Sequence, residues 1–80
     1  MSFYFGDTDF RVGDYVNIIT YDSKEYIGII KDIGEYDDHY HSAPVMSLFI
    51  KINNDYVEIE DWKIIKMSYI SKHNNKRTIK

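Results

Sequence analysis

"VMSLFIKINNDYVEIE", residues 45 to 60, holds two alternating runs joined by a polar turn. "VMSLFIKI" puts Met46, Leu48, Ile50 and Ile52 on one side of an extended chain, because successive side chains of a strand point to opposite faces. "YVEIE" turns Val57 and Ile59 inward and Tyr56, Glu58 and Glu60 outward. Between the runs, "NND" (53 to 55) supplies residues that tolerate the positive φ a tight hairpin turn needs. The segment is a β-hairpin.

Nearer the amino terminus, "DYVNIITY" (14 to 21) sets Val16 and Ile18 against Tyr15, Asn17 and Ile19 with the same period of two. "DSKE" (22 to 25) breaks the pattern, since Asp and Ser side chains bond their own backbone in turns. "EYIGIIKDI" (25 to 33) then returns antiparallel, with Ile27, Ile29 and Ile33 expected on one face and Gly28 marking a bulge or bend. "DWK" (61 to 63) reads as a single helical turn, and "IIKMSYI" (64 to 70) as a fifth short strand. The residue mix agrees. Thirteen Ile and eight Tyr stand against one Ala and one Leu, which favours pleated strands and deprives helices of their best formers.

Eighty residues make one domain, and a chain this size buries only about 60 to 65% of the surface its unfolded form exposes. Five short strands with one apolar face therefore need closure, and a small barrel removes the exposed edges. Cysteine is absent, which excludes a disulfide framework and a thiolate zinc site and fits a reducing, cytoplasmic setting. The amino terminus carries no basic stretch followed by a long apolar run. The longest apolar segments, such as Tyr26 to Ile30, fall far short of the roughly 20 residues of a membrane helix. A soluble protein without membrane contact is expected. The excess of Ile, Lys, Tyr and Asn is what an AT-rich genome encodes, pointing to a low-GC bacterium or its phage.

Charge is uneven. Residues 1 to 71 hold six basic and thirteen acidic side chains, whereas residues 72 to 80 (KHNNKRTIK) hold Lys72, Lys76, Arg77 and Lys80 and no acid. The body repels a polyphosphate backbone, and the basic tail either meets one or is simply solvated.

"FRVGDYVNI" followed by "YIGIIKDI" resembles the opening of Src-homology-3-like small barrels of the KOW and Tudor type. Val12, Gly13, Asp14 and Val16 match the first turn and strand of that family, and Gly28 with Ile30 match the glycine and aliphatic of the second. "SLFIKINNDYVEIEDWKII" fits its third and fourth strands, short helical turn and the start of a fifth. The resemblance spans roughly residues 10 to 70. It implies an all-β fold: a small five-stranded Src-homology-3-like barrel, here with a long loop between strands two and three and a short helical turn before strand five. Such barrels serve as docking modules for RNA, modified peptides or other proteins.

The long loop, "EYDDHYHSAP" (35 to 44), gathers Asp37, Asp38, His39 and His41. These are ligand types that zinc, nickel or manganese accept, and alternate residues of an extended segment could turn both imidazoles to one ion. The second, separated ligand pair of true zinc motifs is missing. A long polar loop is more often a solvated or partner-binding surface, so the segment is read as an interface, and neither a metal nor another cofactor is expected.

Catalytic signatures are sparse. Ser42 and Ser47 lack an evident base and orienting acid, and no GxxxxGK loop exists. Glu58 and Glu60 share a strand face about 6.6 Å apart by the strand rise, a spacing equally expected of the solvated side of an amphipathic strand. No enzyme is expected.

Thirteen aromatic residues give the better clue. Alternation turns Tyr15, Tyr26 and Tyr56 outward, Tyr36 and Tyr40 join the loop, and Phe3, Phe5, Phe10 and Trp62 are candidates to plug the barrel ends. Tyrosine combines apolar area with a polar handle and is enriched in interfaces.

The leading expectation is a non-enzymatic protein-interaction module, of the kind a phage or mobile element uses to modulate a host protein. Its partner-binding set is Tyr36, Tyr40, His39, His41, Tyr56, Glu58 and Glu60. The alternatives are a nucleic-acid-binding barrel using Lys72, Lys76, Arg77 and Lys80, and a small-ligand or metal binder at the 35 to 44 loop. A homo-oligomer is compatible with each.

Overall fold

The computed structural model describes residues 2–37 and 44–71, and these form an all-β chain. In order, the strands are β1 (Ser2–Phe5), β2 (Thr8–Arg11), β3 (Tyr15–Thr20), β4 (Glu25–Tyr36), β5 (Val45–Ile52), β6 (Asp55–Glu60) and β7 (Ile64–Ser71), with a 3-10 turn at Asp61–Lys63. Strands β3 to β7 build one five-stranded sheet in the order β6-β5-β4-β3-β7, with every neighbouring pair antiparallel. The five expected strands and the helical turn before the last are all present.

Two strands were not anticipated. Strands β1 and β2 form a separate hairpin in which Phe3 faces Phe10, with the two-residue turn Gly6-Asp7 between Phe5 and Thr8. Gly6 takes φ 62°, the left-handed region that a tight hairpin turn asks of a glycine. Phe3 and Phe10 are buried in the same cluster as the sheet residues, so this hairpin contributes to the common core. The Phe10 ring packs 4.6 Å from that of Tyr69, whose hydroxyl donates to the Asp9 carbonyl. Burial, more than any neighbouring charge, pushes the Tyr69 phenol above its ordinary pKa.

The core facing of β4 corrects the sequence reading. Ile27 and Ile29 are 40% and 41% exposed, while Ile30 and Ile33 are buried. The register explains it: Ile30 pairs with Ile50, then Asp32 pairs with Phe49, leaving Lys31 as an extra residue. A bulge of this kind reverses which alternate residues face inward, so Ile30 and Ile33 share a face at odd spacing. Gly28 is no bulge. A Cβ there would lie 2.3 Å from the Lys51 carbonyl oxygen and 2.7 Å from Ile50 Cγ2, so its bare backbone permits close packing against β5.

Strand β4 also runs through Tyr36, three residues beyond its expected end, which makes Gly34, Glu35 and Tyr36 part of the sheet rather than of a loop. The core is a single cluster centred on Phe10, Val16, Ile18, Ile30, Leu48 and Ile50, and the hairpin read first from the sequence supplies its last two members. Asp14 is buried too. Its carboxylate accepts the Arg11 N–H at 2.8 Å, holding the Arg11–Asp14 turn in which Gly13 adopts φ 101°. Among the described residues, no helix is long and apolar enough to cross a membrane.

Candidate interaction face

Residues directly opposite one another on paired strands share a face of the sheet. On the side away from the core, the registers align Ile29, Lys51 and Tyr56 across β4, β5 and β6, then Asp32, Phe49 and Glu58, then Gly34, Ser47 and Glu60. Tyr36 stands on the same face, opposite Val45. The sequence placed Tyr36 in a loop and Tyr56, Glu58 and Glu60 on a strand; pairing brings all four onto one surface.

The Tyr36 hydroxyl donates to the Glu60 carboxylate, bridging β4 to β6 over the intervening strand. Glu60 lies opposite Ser47 on β5. That crossing accounts for Ser47 being only 1% exposed on an outward face. The Ser47 hydroxyl has no hydrogen-bond partner among the described residues. Tyr56 is 62% and Tyr36 39% exposed, so both rings offer apolar area to an incoming surface.

The electrostatics of this face are one-sided. Asp32, Glu58 and Glu60 supply three carboxylates, against Lys51 at the Tyr56 end. Among the described residues the ion pairs are Arg11–Asp9 and Lys24–Asp22, which leaves those three acids without a cationic partner. Asp61 is used structurally: its Oδ2 accepts the Met46 N–H at 3.3 Å, tying the 3-10 turn to the start of β5.

Two aromatic expectations change. Tyr26 is half-buried and packs against the core cluster, because its cross-strand partner is the buried Ile18. Trp62, expected to plug the barrel, is 52% exposed in the 3-10 turn. Tyr15 does face outward, at 39% exposure.

Tyr40, His39 and His41, together with Asp38, lie outside the described residues, as do Lys72, Lys76, Arg77 and Lys80. Among the described residues, no group of three or more His, Asp or Glu side chains is arranged to hold a metal ion. No family model, no curated protein and no solved structure matches this chain.

Proposed function

We propose that this protein is a non-enzymatic interaction module that binds a basic protein through the outer face of strands β4, β5 and β6. One observation carries the reading: three carboxylates without cationic partners among the described residues and two exposed tyrosines are aligned on a single sheet surface. Carboxylates on such a surface steer a positively charged partner during encounter and reject an acidic one. Tyr36 and Tyr56 add contact area that a purely acidic patch lacks, and the Tyr36–Glu60 hydrogen bond holds one of these rings in place before binding.

The same reading takes the five-stranded sheet and the amino-terminal hairpin as a small barrel of the Src-homology-3-like type. The shared core of Phe3, Phe10 and the sheet residues supports closure, and closure leaves the outer face free for a partner.

The test is affinity capture from a low-GC bacterial lysate with wild type and a charge-neutral variant, Asp32→Asn/Glu58→Gln/Glu60→Gln. A basic protein retained by wild type and lost by the variant supports the reading. Retention of nucleic acid alone, released by salt, or identical capture by the variant, refutes it.

A further inference from the structure

Beside the interaction face, where the turn between β3 and β4 approaches the end of β6, a cavity of about 310 Å³ opens between two sets of side chains. Its lining includes the aromatic residues Tyr21, Tyr26 and Trp62 and the acidic residues Asp22 and Glu58. The sequence separates these residues into two groups more than thirty positions apart. They meet because the turn residue Tyr21 donates its N–H to the Lys63 carbonyl at 3.0 Å, bringing the 3-10 turn against the β3–β4 turn.

This lining has a defined chemical preference. Aromatic faces carry negative electrostatic potential and attract cations lying within about 6 Å of the ring centroid. Carboxylates at the rim add charge and hydrogen-bond acceptors. The molecule already makes such a contact within itself, since the Lys63 ammonium sits 5.1 Å from the Trp62 ring centroid. The Thr20 hydroxyl donates to Asp22 and, with lesser help from Lys24, holds its carboxyl below the ordinary range, so this wall of the cavity stays anionic at neutral pH. The volume stands at the small end of ligand pockets, a size for a single side-chain head group rather than for a nucleotide or cofactor.

We propose that this cavity is a receptor for one organic cation, an alkylammonium or guanidinium group, with Tyr21, Tyr26 and Trp62 receiving its charge and stem and Asp22 and Glu58 its N–H donors. Lys63 is the internal competitor: its ammonium occupies the Trp62 ring until an incoming cation replaces it. The site stands independently of the proposed protein-binding face, although Glu58 belongs to both. The cation comes either from a lysine or arginine side chain of a protein or from a free amine or guanidine.

Trp62 is the sole tryptophan of the chain, so its fluorescence and its indole N–H resonance report on this cavity directly. The experiment titrates the full-length protein with N-acetyl-arginine methylamide and N-acetyl-lysine methylamide. N-acetyl-citrulline methylamide serves as the neutral control of matching shape, agmatine as a free cation, and a short arginine- and lysine-containing peptide as the macromolecular form. Saturable shifts with the cations and not with citrulline support the site, as does weakening of those shifts by Asp22→Asn or Glu58→Gln. Removing the competitor with Lys63→Met strengthens binding about two- to fivefold, the span of an exposed cation–π contact. Tighter binding of the peptide than of agmatine assigns the cation to a protein side chain, and the reverse assigns it to a free ligand. Equal shifts with citrulline, or unchanged or weaker cation binding in Lys63→Met, would overturn the proposal. Failure of the wild-type protein to capture a basic protein from lysate, with these titrations intact, would sink only the interaction-face reading.

Discussion

The Tyr36 phenol donates a hydrogen bond to the Glu60 carboxylate across strand β5, joining two residues 24 positions apart. Both partners are at the surface, where a neutral donor to a carboxylate contributes about 0.5 to 1.5 kcal/mol. Tyr36→Phe keeps the ring and removes the donor, so a loss of that size is expected in urea denaturation. A double-mutant cycle with Glu60→Gln isolates the pair, and additive losses would show that the two residues do not cooperate.

The bulge at Lys31 makes adjacent isoleucines unequal. Ile30→Ala opens a cavity in the core and costs about 2 to 5 kcal/mol, a large share of the stability of a domain this small. Ile29→Ala removes a side chain already 41% exposed and is expected to change stability far less. Thermal melts of the two variants decide the matter; equal destabilisation would contradict the register of β4.

Gly28→Ala tests the contact between β4 and β5. The added methyl would meet the Lys51 carbonyl oxygen at 2.3 Å, and backbone cannot move aside without disturbing the ladder. A cost of about 1 to 3 kcal/mol follows from overpacking, with Tm falling about 4 to 8 °C for each kcal/mol in a domain of this length. An unchanged melting temperature would mean that the two strands are further apart.

Asp22 sets a pH dependence whose sign follows from its hydrogen bond. The Thr20 hydroxyl favours the ionised carboxylate and lowers its pKa below the ordinary value of 3.8. The folded state therefore binds the proton less readily than the unfolded chain, and the contribution is present above that ordinary value and lost as pH falls through the folded one. Asp22→Asn should be less stable than wild type near neutrality, with the gap closing in strong acid. Denaturant midpoints across the acid range provide the comparison, and a constant gap would exclude Asp22 titration as its source.

Much of the fold was legible because alternation is a local property. Val16 and Ile18, Leu48 and Ile50, and Ile59 fall on the core side as their period of two requires, and Asn53 takes φ 58° in the turn that its residue type announces. The β1–β2 hairpin carries a comparable signal in Gly6-Asp7, although the phenylalanines on either side of it suit plugs for the barrel ends equally well. Ile27 and Ile29 misled for a different reason: a bulge is set by how β4 pairs with β5, and nothing in "EYIGIIKDI" distinguishes the extra residue from its neighbours.

The candidate sites divide along the same line. Glu58, Glu60 and Tyr56 could be placed together from sequence because they alternate on one strand. Tyr36 joins them only through pairing across β5, and Tyr21, Tyr26 and Trp62 share a cavity only because the 3-10 turn is bonded to the turn after β3. Strand content, the central hairpin and the acidic, aromatic character of the surface depend on residue type and period along the chain, so they are legible without any tertiary contact. The phase of β4, the burial of Phe3 and Phe10 against the sheet and the meeting of the residues of both proposed sites each depend on hydrogen-bond register between segments distant in sequence, which no local pattern encodes.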